Sequence, residues 1–398
     1  MIADVHFWPP SVTSQFAICP VPFHLDTYKG CVHNCAYCFG RDLTNFQRRT
    51  GEEVSTGNLL GGKLVNLQRN VEAQPRFTDL TVNDAKKCSR WMEKQESKEH
   101  DPTDAVSVAL KMRMPLKIGA IGDPCPPHER DLHVTENVLR VLADRDYPVE
   151  IQTKNPVVLA GVLERLGPGE NIVVAVTLVT LDEEWIKGVE PGAPSAAARL
   201  VAVKRIVEMG YPAMIKVQPA VYPRILKDLS RLAAAVKKSG AFAFQTEGLK
   251  VRITMPQDER RIFDAALGNV RKEYGLRYGE KESSDYVLKD RYKLEYIELA
   301  ELLAKRHGLR YFSSDNSPMG RGDSPECCGT EVLRGCNVST YNLRHEAFGL
   351  LKKDDPFADV LVDFTRSTCS AKGTKLRTVR SIIDEAVEEK NARKRSLL

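Results

Sequence analysis

Short β-branched runs and amphipathic helical patterns alternate along the middle of the chain, and that alternation restricts the fold more than any other feature. The strand-like runs are Leu116–Ile121, Val149–Thr153, Ile172–Leu178, Ala213–Val217 and Phe242–Glu247. Helical patterns lie between them at Val134–Arg145, Val157–Leu166, Ser195–Met209 and Ile225–Lys238. Strands joined by crossover helices run parallel, and a parallel sheet needs both faces covered. A further strand-like run, Phe23–Lys29, raises the count to six β/α units. Six units are too few to close an eight-stranded barrel. The expected fold class is therefore α/β, an open, curved partial (β/α)6 barrel with functional residues at the carboxyl ends of its strands.

Residues 41–115 interrupt the pattern with a Gly-rich turn (Gly57, Gly61, Gly62) and helical stretches at Val82–Lys98 and Pro102–Met112. They read as an insertion after the first strand. Beyond Pro256 the chain becomes charged and helical as far as His307, then gives a short strand, Leu309–Ser313, and a loop carrying Cys327, Cys328 and Cys336. The expected division is a barrel over 1–255 and a mostly helical extension over 256–398.

Just after the first strand-like run lie Cys31, Cys35 and Cys38, spaced C-x3-C-x2-C and followed by the aromatic Phe39. Three thiolates on one short loop can hold three corners of a [4Fe–4S] cube and leave the fourth iron bare. An open metal position separates catalytic from structural sites. A structural zinc site is the competing reading, but zinc favours paired C-x2-C knuckles that close four ligands. The local fourth ligand would have to be His33, which sits awkwardly between two cysteines. The spacing resembles the radical-SAM signature. An open iron there would chelate the amino and carboxylate groups of S-adenosylmethionine, and an electron from the cluster would cleave its S–C5′ bond to give a 5′-deoxyadenosyl radical.

Composition is compatible with this chemistry. With 42% hydrophobic and 28% charged residues, the 398-residue chain is ordinary for a soluble globular protein. No apolar run approaches the length of a membrane span, and Met1–His6 lacks the basic and apolar regions of a signal peptide. The ten cysteines then belong to a reducing, cytoplasmic setting and read as metal or catalytic thiols before disulfides. A net charge of +5 permits a DNA or RNA partner without requiring one. Lys372–Arg395 is basic, but Asp384, Glu385, Glu388 and Glu389 interrupt it, so it reads as a solvated helix.

A second group of motifs falls at the predicted strand ends. Gly122-Asp123-Pro124-Cys125-Pro126-Pro127-His128-Glu129 follows the second strand, where Asp123 is expected to receive the cofactor ammonium. Lys154 ends the third strand and is placed to pair with a carboxylate. Thr177 ends the fourth and could bond a ribose or carboxylate. Glu190, before Pro191-Gly192, and Arg199 on the next helix are expected to pair and brace the loop beneath the cofactor. Cys327, Cys328 and Cys336 have three readings: an auxiliary iron–sulfur or zinc site with Cys369 or Cys19, a substrate-side thiol on a loop folded over the barrel mouth, or a loop packed by small residues.

Together, Tyr28-Lys29-Gly30-Cys31…Cys35…Cys38, Gly-Asp-Pro…Glu129, Thr153-Lys154, Glu190-Pro191…Arg199 and the strand ending Gln218-Pro219 resemble the spore photoproduct lyase branch of the radical-SAM superfamily. The resemblance covers roughly residues 20–225. It implies a partial barrel, one [4Fe–4S] cluster on Cys31, Cys35 and Cys38, and cofactor contacts from Lys154 and Thr177. A flavodoxin or ferredoxin would supply the electron. In the lyase the radical takes hydrogen from a thymine-dimer lesion in DNA, and a cysteine–tyrosine relay returns one. This chain has no cysteine near Ala120, where that donor would lie, and Phe39 replaces a tyrosine. The candidates left for catalysis are Cys125, just past the turn, and Tyr37, which also lies against the cofactor. The expectation is a lyase-like enzyme that abstracts hydrogen from a different nucleobase or nucleic-acid-linked substrate. The alternatives are a radical enzyme for a peptide or small metabolite with an auxiliary cluster, and a non-catalytic iron–sulfur module.

Overall fold

The computed structural model describes residues 2–13, 18–40, 80–102, 104–252, 257–267, 274–276, 285–352 and 354–358. The Gly57–Gly62 turn, Cys369 and the basic stretch 372–395 lie outside the described residues. The strands are β1 (Ile2–His6), β2 (Ser11–Val12), β3 (Phe23–Leu25), β4 (Tyr28–Lys29), β5 (Leu80–Asn83), β6 (Leu116–Ile118), β7 (Val149–Thr153), β8 (Ile172–Thr177), β9 (Ala213–Ala220), β10 (Ala243–Gly248), β11 (Lys250–Arg252), β12 (Tyr274–Leu276), β13 (Asp285–Leu288) and β14 (Arg310–Ser313). The helices are α1 (Ala85–Glu96), α2 (Ala105–Lys111), α3 (Glu129–Leu132), α4 (Val134–Ala143), α5 (Pro156–Leu166), α6 (Glu183–Val189), α7 (Ala196–Glu208), α8 (Arg224–Lys238), α9 (Gln257–Leu267), α10 (Asp290–His307) and α11 (Leu343–Ala347).

The expected alternation is present. Eight strands form one sheet in the order β14-β10-β9-β8-β7-β6-β3-β2. Every pairing from β3 through to β14 is parallel, and β2 runs antiparallel on the outer edge of β3. Helices start where short polar side chains satisfy free N–H groups: Asn155 caps α5 with Pro156 at its first position, Asp182 caps α6 and Ser195 caps α7.

Strand alternation sorts side chains onto two faces. Val174, Val176, Ile215, Val217 and Phe244 join the large core under the helices. Ala175, Met214, Ala243 and Phe312 form a separate cluster on the concave face. Each buried aliphatic side chain contributes about 1.5–3 kcal/mol, so the outer layer carries most of the stability. Above the small concave cluster the lumen turns polar. Lys216 on β9 lies 2.6 Å from Glu150 on β7 and donates to Gln152 at 2.9 Å, with Lys216 and Glu150 both buried.

The structure departs from expectation in the strand count and in the first strand. The sheet has a seventh parallel strand, because β14 pairs with β10 and α10 serves as their crossover helix. The segment after 256, whose regular structure is mostly helical as expected, thus completes the barrel sheet, and its β12 and β13 join β11 in an antiparallel trio. The first strand is broken: β3 joins the main sheet while β4 pairs with β5 in a small sheet with β1. Asp26 and Thr27 cause the break, since Asp26 accepts from the Ile121 N–H at 3.1 Å and Thr27 bonds the Thr135 hydroxyl at 2.7 Å.

Residues 334–337 close one end of the barrel. Arg334 donates to the Gly169 carbonyl at 3.0 Å and its N–H bonds Asn171 at 2.8 Å. Arg113 donates to the Gly335 carbonyl at 3.0 Å and Asn337 to that of Met112 at 3.1 Å. All four partners precede the amino ends of β6 or β8, so this face is the floor. Cys327, earlier in the same loop, instead has its sulfur 3.2 Å from the hydroxyl of Ser314, just past the carboxyl end of β14.

Candidate functional site

The cysteine loop lies across the opposite end, where the strands finish. Gly122, following β6, packs so closely beneath it that a Cβ would stand 2.5 Å from the Tyr28 carbonyl oxygen and 2.9 Å from that of Gly30. On the far side the loop is pinned to the segment after α6. The Ala36 N–H donates to the Val189 carbonyl at 2.8 Å, and the Gly192 N–H donates to the His33 carbonyl at 3.0 Å. Gly192 also admits no side chain, since a Cβ would lie 2.4 Å from the Val32 carbonyl oxygen.

The expected Glu190–Arg199 brace is present. Both side chains are fully buried and paired at 2.5 Å, and Arg199 also donates to the carbonyls of Thr177 at 3.0 Å and Pro194 at 2.8 Å. Glu190 turns its other oxygen to the Tyr37 hydroxyl. One chain of contacts therefore runs from the end of β8 through Arg199 and Glu190 to the residue before Cys38. Tyr37 is oriented by this bond, and the Lys154 ammonium stands 5.6 Å from its ring centroid. Lys154 also acts electrostatically on Cys35. Thr177 sits buried at the end of β8, under the same brace.

Asp123 is placed differently from expectation. Its carboxylate accepts from the Cys125 N–H at 2.9 Å, the Thr153 hydroxyl at 2.7 Å and the Lys154 N–H at 2.7 Å, and it lies 3.1 Å from His33 Nε2. Three hydrogen bonds take most of the roughly four acceptor sites of an ionised carboxylate, and the His33 ring stands against it as an ion-pair partner, so Asp123 is committed to protein contacts. Burial works to raise its pKa, but the charge and hydrogen bond of His33 and the two backbone and hydroxyl donors outweigh it and hold the carboxyl well below its usual range. Asp123 is a brace between the turn after β6, the end of β7 and the cysteine loop. His33 completes it: Nδ1 lies 2.9 Å from the Gly192 carbonyl oxygen. No local motif marks that role, because both partners come from distant strand ends.

Cys125 is corrected as a catalytic candidate. The same Asp123 bond that holds its N–H turns the side chain inward, and the thiol is fully buried in the core. Burial, with Asp123 and Glu129 nearby, pushes it far above the ordinary thiol range. Glu129 is spent on caps, accepting from the N–H groups of Val134, Thr135 and Glu136 and from the Tyr28 hydroxyl.

Cys31, Cys35 and Cys38 share one loop and act on one another electrostatically. Cys35 is buried and the other two are partly exposed. Among the described residues, no group of three or more His, Cys, Asp or Glu side chains is drawn together closely enough to hold a metal ion. Asp123 acts on Cys31 and Glu190 on Cys35, but both carboxylates are committed to their braces, so the donors left on the loop are three soft thiols, a set that suits an iron–sulfur cluster. The auxiliary-metal reading loses a donor, since Cys336 is hydrogen-bonded to the carbonyls of Thr330 and Leu333. Among the described residues no helix is long and apolar enough to cross a membrane.

No family model matches the chain. Uncharacterised proteins of Mycobacterium tuberculosis and Mycobacterium bovis are 23% identical to it over 242 residues, which is 59% of this chain. That match spans only about 61% of the length of these curated relatives. Among solved structures, a spore photoproduct lyase double mutant with bound AdoMet and dinucleoside spore photoproduct is similar, at a TM-score of 0.53 and 12% identity, covering 78% of this chain and 81% of that one. Spore photoproduct lyase complexed with the dinucleoside spore photoproduct gives 0.50 and 14%, covering 74% and 76%. At such identity the likeness concerns architecture alone, and it agrees with the parallel order of the main sheet: the chain shares the fold of these spore photoproduct lyase structures.

Proposed function

We propose that this protein is a radical-SAM enzyme that abstracts hydrogen from a nucleobase or a nucleic-acid-linked substrate. One observation carries the reading: the three-cysteine loop is tied across the carboxyl ends of a parallel, partial-barrel sheet by contacts from β6, β7 and β8. Cys31, Cys35 and Cys38 would hold a [4Fe–4S] cluster, which when bound supplies the electron that cleaves S-adenosylmethionine. The rest of the work belongs to this chain. Asp123 and His33 fix the loop against the ends of β6 and β7, while Glu190, Arg199 and Tyr37 fix it against β8. Lys154 provides a cation for the methionine carboxylate, and Thr177 lies beside the same edge. With the floor at the opposite end, the substrate would approach past Gln218, Glu247 and Lys250, which are linked where β9 and β10 end and β11 begins. A duplex substrate would have to flip its target base out to reach this mouth.

Anaerobically reconstituted, dithionite-reduced protein should release 5′-deoxyadenosine from S-adenosylmethionine. An intact cluster with no release removes the enzyme reading. Salt-sensitive binding of DNA or RNA, with deuterium passing from labelled nucleotide into 5′-deoxyadenosine, supports the substrate class. Absence of nucleic-acid affinity even at low salt removes that class and leaves the radical chemistry in place.

A further inference from the structure

The concave face of the main sheet carries a row of buried charge that does not balance. Leu116 and Ile118 point into the core beneath the helices, so by strand alternation Lys117 between them faces the lumen. The same alternation turns Glu150 and Gln152 inward, since Val149 and Ile151 belong to that core. Lys117 pairs in register with Glu150. Its ammonium lies 3.8 Å from one Glu150 oxygen, too far for a hydrogen bond. Lys216 on β9 reaches the other oxygen at 2.6 Å and donates to Gln152 at 2.9 Å. Two ammoniums therefore share one carboxylate.

Buried charge is ordinarily matched by an opposite charge, and the nearby candidates are engaged elsewhere. Glu247, nearer the mouth, is taken by Gln218 and Lys250. The Cys327 sulfur meets the Ser314 hydroxyl at 3.2 Å and the Cys328 sulfur at 4.0 Å. Gln245 on β10 gives an independent sign of an incomplete site. It pairs in register with Lys216 and shares the lumen face with Ala243, two residues earlier. Its side chain is fully buried, yet neither its amide nitrogen nor its amide oxygen has a hydrogen-bond partner. Such a group destabilises a fold until something completes it. Adjacent strands lie about 4.8 Å apart, so a group held by Lys216 is within reach of this amide. The lumen is open beside the row: the Lys117 side chain is 17% exposed although β3 and β7 flank it, and Gln152 is partly exposed.

We propose that the lumen holds a subsite for one oxyanionic group of the substrate, a carboxylate or a phosphate, bound by Lys117 and Lys216 and completed by the Gln245 amide. One such group brings the row to two positive and two negative charges. It accepts from the Lys117 ammonium, which has no acceptor at hydrogen-bond distance among the described residues, and from the Gln245 amide N–H. Lys216 is level with Thr177, the last residue of β8. The bound group therefore lies just below the edge where the cysteine loop is tied, and a substrate anchored by its anionic end presents the rest of itself toward the mouth. Calling the anion part of a substrate rests on the radical-enzyme reading; the anion site itself does not.

The test uses the full chain with its cluster, titrated anaerobically with inorganic phosphate and separately with acetate in a calorimeter, chloride holding the ionic strength constant. The expected result is saturable binding of one anion per chain that persists with S-adenosylmethionine present. Tighter binding of phosphate assigns a phosphate to the substrate, and tighter binding of acetate assigns a carboxylate. Lys117→Gln should weaken the better-bound anion about tenfold. It leaves Glu150 and Lys216 matched one to one, so the thermal unfolding temperature should not fall. Gln245→Leu should weaken the same anion about threefold while keeping or raising that temperature, because it removes an unmet amide. Absence of saturable binding to the unsubstituted chain overturns the proposal, as does binding that neither substitution weakens or that S-adenosylmethionine displaces. Release of 5′-deoxyadenosine tests the radical reading separately: a chain that binds the anion without that release keeps the site and loses the reaction.

Discussion

At the residue scale, the mouth of the barrel depends on charges held without water. Arg199 and Glu190 are both fully buried, and Arg199 spends its remaining donors on two carbonyls. Removing one partner of such a pair strands a charge in a low-dielectric interior, which costs about 3–5 kcal/mol. Arg199→Ala should therefore lower unfolding free energy by roughly that amount in urea, and a loss under 1 kcal/mol would contradict the pairing. Gly192 poses a steric test. A Cβ there meets the Val32 carbonyl oxygen at 2.4 Å, so Gly192→Ala must push the cysteine loop away from α6. With far-UV circular dichroism unchanged, iron after reconstitution should fall well below the ~4 per chain of one cluster. Full iron loading would show that the loop does not need this seat.

Some of this was legible in residue spacing. The cysteine triplet declares itself because all its members lie on one loop. Glu190 and Arg199 could be paired in advance because they lie close in sequence, on a Pro-Gly turn and on the helix that follows it. Asp123 and Cys125 were misassigned for the opposite reason. Their orientation is set by Thr153, Lys154 and His33, which reach the turn from other strand ends, and no local pattern encodes those contacts.

At the scale of elements, α4 and α5 are tied by a carboxylate shared between two arginines. Glu136 on α4 meets Arg140 at 2.9 Å on its own helix and Arg165 at 2.7 Å on α5. Burial alone would raise Glu136, but the hydrogen bonds of Arg165, Arg140 and His133 prevail and bring it down from 4.5 to about 2. Its folded-state pKa is depressed, so the stability it contributes is complete above pH 4.5 and is lost as pH falls toward about 2. Glu136→Gln should flatten the stability profile in that window and leave the neutral-pH fold intact, as thermal unfolding at stepped pH would show. A profile unchanged by the substitution would mean the tie is solvent-screened. The longer helices were readable, since capping residues and apolar spacing are local signals, whereas the short α3, α6 and α11 were not. The break between β3 and β4 was not, because two buried side-chain bonds to distant turns cause it.

At the scale of the whole molecule, the sheet does not respect a boundary at residue 255. β14 supplies the seventh parallel strand, α10 covers it, and Arg344 donates to the Ser313 carbonyl at 2.6 Å to hold its end. A fragment of residues 1–255 would leave β10 with an open edge and Phe244 without the Tyr311 ring it packs against at 5.4 Å. That fragment should lack near-UV circular dichroism and a cooperative unfolding transition. A fragment with both would make β14 an accessory. Sheet membership of so late a strand depends on which edge remains open after the others have paired, and sequence order carries little of that information.

The sealed floor has a kinetic consequence. With Arg334 and its neighbours closing the amino ends of the strands, a cofactor and a substrate bound at the carboxyl ends would share the doorway there. Two molecules that use the same doorway cannot pass each other inside. Whichever lies deeper must arrive first and depart last, so turnover should follow a compulsory order, and an excess of the outer molecule should trap the inner one. Initial-rate patterns with both concentrations varied would read that order directly.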